Sequence, residues 1–397
     1  MFKKKNYRRI KKNLVILYDD GRKQQIKKKR NKKMNNWIVL LFIFSTRSQD
    51  FNNYNACPHP CECYVKYTAN GPIVHVLETN VTSVLHLTCE SLLHSSLQDR
   101  IFQHLYSFNA FELSGCSFDY IHKHAFYGLP NLRELNINRA RNLSIHDEAF
   151  LDTPNMRRLV ITNSGVTQFP SLYGLNKIQF INFTNNFIKD ISNANFMECD
   201  EELTDLYVLI LNNNQIHDIN VTFGIFTPNL KYLSIADNMV AHISSQSLLN
   251  LTYLELLDLT GNNLSELPSN LLKDNINIKV VGLGPNPISQ IDNDFFHSGK
   301  QMEALVLGST RVGDSVWKHL YYLPTIHELQ LGNCSLTYIN ITVMGRLGRL
   351  QHLDLSRNNL SKILNYTFIN HVNLVTLLLS HNAISHIESH TLFRDCD

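Results

Sequence analysis

The chain has 397 residues, 44% of them hydrophobic and 18% charged, which is enough apolar surface for a large core and not the composition of a disordered chain. No apolar run approaches the ~20 residues that a membrane-spanning helix needs. The net charge of +3 hides a split: residues 1–48 carry 16 Lys and Arg against two Asp, whereas residues 49–397 carry 21 basic against 32 acidic residues. An acidic body of this kind argues against a broad phosphate-contacting surface, and so against nucleic acid as the partner.

Residues 1–33 are rich in Lys, Arg and Asn, with the run KKKRNKK at Lys27–Lys33. Alone, that run is a candidate nuclear-localisation or nucleic-acid patch. It is followed by the eight-residue apolar run Trp37–Phe44 and then Ser45-Thr46-Arg47-Ser48. A basic flank, a short apolar core and small residues make a secretory signal, and the apolar core is too short to span a bilayer. Residues 1–48 are therefore expected to be a basic leader plus signal peptide, with Met1 or Met34 as initiator. Ten Asn-X-Ser/Thr sequons follow, at Asn80, Asn142, Asn182, Asn220, Asn250, Asn263, Asn333, Asn340, Asn359 and Asn365. Their number predicts a glycosylated extracellular protein, secreted or at the cell surface.

Residues 49–107 hold Cys57, Cys61, Cys63 and Cys89. In an exported chain this cluster reads as two disulfides closing the end of a domain; four thiolates around a zinc ion are the alternative.

From Phe108 onward a single period dominates. Units begin at Phe108, Leu132, Met156, Ile178, Leu206, Leu230, Leu254, Ile278, Met302, Ile326, Leu350 and Leu374, at steps of 24 residues except for 22 and 28 at the third and fourth. Leu254–Leu264 and Leu350–Leu360 each show the pattern LxxLxLxxNxL. The LxL pair places two apolar side chains on one face of a short strand, because side chains alternate with period two. At the ninth position the chain turns, and Asn there bonds backbone groups that the turn leaves unpaired. Asn186, Asn214, Asn238, Asn262, Asn286, Asn358 and Asn382 hold that position, with Cys116 and Cys334 as substitutes. Near the nineteenth position stand Phe126, Phe150, Phe196, Phe296 and Phe368, placed to fill the convex half of the core. No unit buries its own apolar face, so the units must stack. The predicted fold is an α/β solenoid, a curved horseshoe of about twelve leucine-rich repeats over residues 108–397, with parallel strands on the concave side.

Residues 57–89 resemble the cysteine-rich N-terminal cap of extracellular leucine-rich-repeat proteins, and this resemblance implies the pairs Cys57–Cys63 and Cys61–Cys89. Cys116 and Cys334 are expected to be buried and unpaired. Cys199 and Cys396 lie eight repeats apart, of order 40 Å at ~4.8 Å per strand, too far for a disulfide between them. The next repeat would begin just past Asp397, and no cysteine-rich C-terminal cap follows, so the sequence is expected to be a fragment or a truncated gene product.

Further segments carry a narrower resemblance. His86–Ser96 leads into Phe111–Cys116 and Leu132–Ile137, and later Ile188–Phe196 precedes an insertion carrying Cys199. This order is similar to the N-terminal ectodomain of the long Toll-type receptors of arthropods. The resemblance implies cell-surface recognition of a protein ligand, such as a cystine-knot cytokine or another surface protein, by a monomer or within a homo- or heterodimer. Two departures stand out. The family's cysteine expected to pair with Cys199 has no counterpart in Phe169–Leu175, and the span and intracellular signalling domain are absent, so membrane attachment would need a segment this chain lacks.

Two surface stretches are candidate binding sites. Arg133, Arg139, Arg157 and Arg158 in repeats two and three suit an acidic partner on an otherwise acidic protein, or are simply a solvated face. Tyr207, Lys231, Tyr232, Glu255 and Asp258 form a mixed aromatic and charged stretch, or ordinary strand surface. Asn182, at position five of its repeat, faces the concave side, where a glycan would divide the two patches. An enzymatic reading finds little support. His381, His386 and His390 lack metal-ligand spacing, and Gly282-Leu283-Gly284-Pro285-Asn286-Pro287 is explained by the repeat register. No catalytic residue, metal or cofactor is expected. An adhesion or matrix protein, similar to Slit-like or chaoptin-like repeat proteins, is the alternative to a receptor.

Overall fold

A computed structural model describes residues 96–391 apart from 101, 103–107, 116–117 and 198–201, together with the backbone of four short strands nearer the N-terminus. Cys57, Cys61, Cys63, Cys89, Cys116, Cys199, Cys396, Asn80 and the signal segment lie outside the residues whose side chains are described.

The period appears as one parallel ladder. Strands Ala110–Ser114, Glu134–Asn138, Arg158–Thr162, Phe180–Asn182, Val208–Ile210 and Tyr232–Ser234 pair in chain order. Leu256–Asp258, Val280–Gly282, Ala304–Val306, Glu328–Gln330, His352–Asp354 and Thr376–Leu378 continue it without interruption. These are the twelve repeats, in the register read from the sequence: Leu135, Leu159, Ile181 and Leu209 stand opposite one another, each at the fourth position. Strand Val84–Thr88 adds a parallel neighbour before the first repeat, inside the region expected to form the cap. At the far edge, Val15–Leu17 lies parallel to Thr376–Leu378, which completes a 14-stranded sheet. No helix among the described residues is long and apolar enough to cross a membrane.

The core fills the space behind the sheet. Both LxL side chains of each repeat are buried, and a fully buried aliphatic side chain contributes about 1.5–3 kcal/mol, so the summed effect across repeats is what holds the solenoid. On the convex side the chain runs in turns, broken by the short helices Ala194–Met197, Phe223–Phe226, Val316–Leu320 and Ile341–Arg346. Phe rings stack through that half. Phe126 lies 6.0 Å from both Phe102 and Phe150, and Phe196 lies 5.9 Å from Phe169 and from Phe226. Phe296 and Phe368 are buried as expected and pack edge-on against His319 and His371.

An asparagine ladder ties the turns. The side chain of Asn238 donates to the carbonyls of Leu211, Ile235 and Ala236 and accepts from the amide of Ile216, so one side chain satisfies groups in two repeats. Asn186, Asn214, Asn262, Asn286, Asn358 and Asn382 do the same kind of work in their own repeats. Cys334 is buried and unpaired, as its ladder position implies; its Sγ lies 3.1 Å from the Leu307 carbonyl. In the ninth repeat Thr310 replaces Asn, and its hydroxyl donates to that same carbonyl.

Candidate recognition surface on the concave face

Strand geometry decides which residues face outward. With positions four and six in the core, positions three, five and seven point to the concave side, stacked in rows across the ladder. The side chains in these rows change character along the molecule.

In repeats one to three the rows are polar apart from Ala110 and Val160. Arg133, Arg139, Arg157 and Arg158 are all exposed. Arg133 and Arg157 are neighbours at the entry edge, where the Arg157 amide donates to the Arg133 carbonyl. Arg158 faces Glu134 in register and stacks its guanidinium 3.8 Å over the ring of Phe180. Arg139 does not join them. It follows the strand end with φ of 60°, six residues beyond Arg133, or ~20 Å along an extended chain, so it sits at the opposite edge. The sequence cluster is thus three arginines at one edge and one across the sheet.

In repeats five to nine the third-position row is Val208, Tyr232, Leu256, Val280 and Ala304. Leu256, Val280, Ala304 and Val306 form a buried cluster of their own, with Tyr232 packed against it, separate from the main core. This second cluster lies on the opposite face of the sheet from Leu257, Val281 and Leu305. Lys279 and Glu255 pair at 2.7 Å along its entry edge. The Tyr232 phenol is pushed up to about 12, first by burial and then by the Glu255 charge.

Asp258 corrects a sequence expectation. Grouped there with Tyr207 and Lys231 as exposed surface, it is 1% exposed. Its Oδ1 accepts from the amide and hydroxyl of Thr260 at 3.0 and 2.7 Å, while Oδ2 meets only the Ser234 hydroxyl, at 3.4 Å. Burial raises its pKa, and the Thr260 hydrogen bonds oppose that rise. Tyr207 and Lys231 are exposed as expected, and Glu255 is half-buried. Glu328, in the third-position row, drew no attention in the sequence. It is 2% exposed; Oε1 accepts from the Gln330 side chain at 2.6 Å and Oε2 has no partner.

Row seven of repeats eight to ten is glycine: Gly284, Gly308 and Gly332. A Cβ on Gly284 would come within 2.1 Å of the Gly308 carbonyl, so backbone approach requires glycine there. Val281 and Leu283 are fully buried, which confirms that the Gly282–Pro287 run is repeat register.

Nine of the ten sequon asparagines lie among the described residues. Asn142, Asn220, Asn250, Asn263, Asn333 and Asn359 are exposed, and Asn182, Asn340 and Asn365 are half-buried. Asn182 stands in the fifth-position row between Val160 and Ile210, at the boundary of the two regions. Asn340 caps a helix, its Oδ1 accepting from the Val343 amide. Among the histidines singled out, His381 and His386 are exposed and His390 stacks on Tyr366.

Comparison with known proteins agrees with this architecture. The leucine rich repeat family matches residues 204–264 and 324–384, and a second family, described as the BspA type leucine rich repeat region (6 copies), matches residues 95–220. The chain is a leucine-rich-repeat protein. A human relative, leucine-rich repeats and immunoglobulin-like domains protein 3, is 27% identical over 150 residues, 38% of this chain and 13% of its own length. Among solved structures, TLR13 in complex with ssRNA13 superposes with TM-score 0.62 at 22% identity, covering 75% of this chain and 47% of that one. Toll from Drosophila, in its complex with Spatzle, gives TM-score 0.58 at 19% identity, covering 73% and 42%. The leucine-rich-repeat domain of APL1B gives 0.58 at 18% identity, covering 79% and 88%. This chain therefore spans less than half the length of the two Toll-type chains and a small part of the human relative. At these identities the likeness is one of fold.

Proposed function

We propose that this leucine-rich-repeat protein is an extracellular recognition module, the N-terminal part of a Toll-type receptor ectodomain, and that it binds a protein ligand through its concave face. The observation that carries the reading is the buried apolar cluster on the solvent side of the sheet. An apolar row on the outward face of the sheet, with one carboxylate oxygen of Glu328 left without a hydrogen-bond partner beside it, is suited to packing and pairing with a ligand. The sequon density and the signal-like segment support an extracellular setting, and the Toll-type structural neighbours support the receptor class. The alternative reading, a Slit-like or chaoptin-like adhesion protein, uses the same face. The solenoid works by presenting rows of side chains on a rigid ladder; neither reading calls for catalysis or a cofactor.

The test has two parts. The full chain is expressed in insect cells, where secretion with occupied sequons is expected, including Asn182 by glycopeptide mass spectrometry. The secreted protein is then screened against arrayed extracellular proteins, and saturable binding to a protein is expected. Retention inside the cell with empty sequons contradicts the extracellular reading, and binding confined to RNA contradicts the protein-ligand reading.

A further inference from the structure

We propose that the concave face of repeats six to eleven docks an extended protein segment of the pattern basic–x–apolar–x–basic. The inference deepens the recognition reading above and rests on it.

The apolar floor of this face is Leu256, Val280, Ala304 and Val306. Register places an acidic side chain at each end. In the fifth-position row, Asp258 stands beside Gly282, which stands beside Val306, which stands beside Gln330. In the third-position row, Leu256, Val280 and Ala304 lead to Glu328. Asp258 and Glu328 thus bracket the apolar floor diagonally, three strand spacings of ~4.8 Å across the sheet and two residues of ~3.3 Å along it, about 16 Å in all.

Among the described residues neither carboxylate has an ion pair; His352 stands opposite Glu328 in register, but burial lowers its pKa and so favours the neutral ring. Asp258 is held only by hydroxyls and an amide, and Glu328 Oε2 has no hydrogen-bond partner while nearly fully buried. A buried carboxylate oxygen left unmatched is costly, and a cation is the group that would satisfy it. Gly282 keeps the floor open between the two ends: a Cβ there would lie 2.8 Å from Asp258 Oδ1. Beyond Glu328 the fifth-position row adds Asp354, so the acidic end continues into the next repeat.

The occupant follows from these spacings. An extended chain rises ~3.4 Å per residue and turns residues i, i+2 and i+4 to one side. Residues i and i+4 are then about 14 Å apart, some ~2 Å short of the carboxylate separation, a gap that long basic side chains span, with residue i+2 over the apolar floor. Lys or Arg at i and i+4 and an aliphatic or aromatic residue at i+2 satisfy all three. Phosphate-bearing chains are disfavoured, because both anchors are anionic.

The experiment is a display selection of random heptapeptides on the secreted full chain, followed by fluorescence anisotropy with the enriched peptides. Enrichment of the basic–x–apolar–x–basic pattern is expected. Binding is expected to weaken about tenfold in Glu328→Gln and in Asp258→Asn, the scale of one lost charge pair, and further in the double variant. Asp258→Asn is a mild change for the fold, since Asn182 already accepts from the amide and hydroxyl of Thr184 in the same way. Thermal melting of each variant checks that the solenoid is intact. Equal binding by wild type and both variants, or enrichment of acidic peptides, overturns the proposal. Peptides whose binding is lost in Arg158→Glu but kept in Glu328→Gln leave the recognition reading standing and overturn this one. A selection that enriches nothing overturns both.

Discussion

The first three repeats and the later ones share a fold and differ in what they spend it on. Early strands run five residues, from Ala110–Ser114 to Arg158–Thr162, and later ones three. In the early repeats position nine is Cys116, Ala140 or Ser164, so the turns lean on strand pairing and on the Ser164 hydroxyl, which accepts from the Ala140 amide. From repeat four, Asn takes over that position in all but repeats nine and ten, which carry Thr310 and Cys334, and the concave rows change from arginine-bearing to apolar and acidic. Once a side-chain ladder secures the turns, the outward positions can carry residues chosen for contact rather than for strand stability.

The largest effect expected from breaking this comparison is in the aromatic stack under the early repeats. Phe126→Ala removes a ring between Phe102 and Phe150 and should cost about 3–5 kcal/mol, read as a lower urea midpoint. Next is Asn238→Ala, which strands three carbonyls and one amide in the later repeats and should cost about 2–4 kcal/mol by the same measurement. Ala140→Asn, in the early region, should gain nothing comparable, because the Ser164 hydroxyl already accepts from the amide of residue 140.

Acid should separate the halves more gently. His319, whose pKa burial lowers to about 4, and His352 and His371, lowered by the same cause, all belong to repeats nine to eleven. Each stays neutral in the fold and takes a proton near 6.5 when unfolded, so stability is full above that value and falls as pH drops towards 4. Asp258 acts in the opposite sense: its raised pKa adds stability as pH falls through it. The melting temperature should therefore decline between pH 6.5 and 4, more steeply in Asp258→Asn, with the later repeats exchanging amide hydrogens first. The smallest expected effect is Arg158→Ala, which loses the contact with Phe180 and about 0.5–1 kcal/mol.

Much of this was legible in the sequence because a repeat prints its register many times over. The LxL pairs, the seven ladder asparagines, the phenylalanine row and the burial of Cys334 all follow from position alone. What escaped were properties of rows rather than of repeats. Arg133 and Arg139 read as one cluster because they are close in sequence, yet a strand carries them to opposite edges. Asp258 read as exposed because it stands between two core leucines, yet its neighbours across the ladder bury it. Glu328 was invisible as a lone acid in a variable position. Reading the third position down the chain, from Glu134 and Arg158 to Tyr232, Leu256, Val280 and Ala304, would have shown the change of character. Burial of that row depends on neighbours 24 residues away, which no local window contains.

Hydrogen–deuterium exchange of the full chain, with and without its bound protein ligand, tests the central claim most directly. Protection concentrated in the strands from Tyr232–Ser234 to Glu328–Gln330 is the predicted result, with Glu134–Asn138 and Arg158–Thr162 unchanged. Protection confined to the arginine-bearing repeats, or to the convex turns, would contradict it.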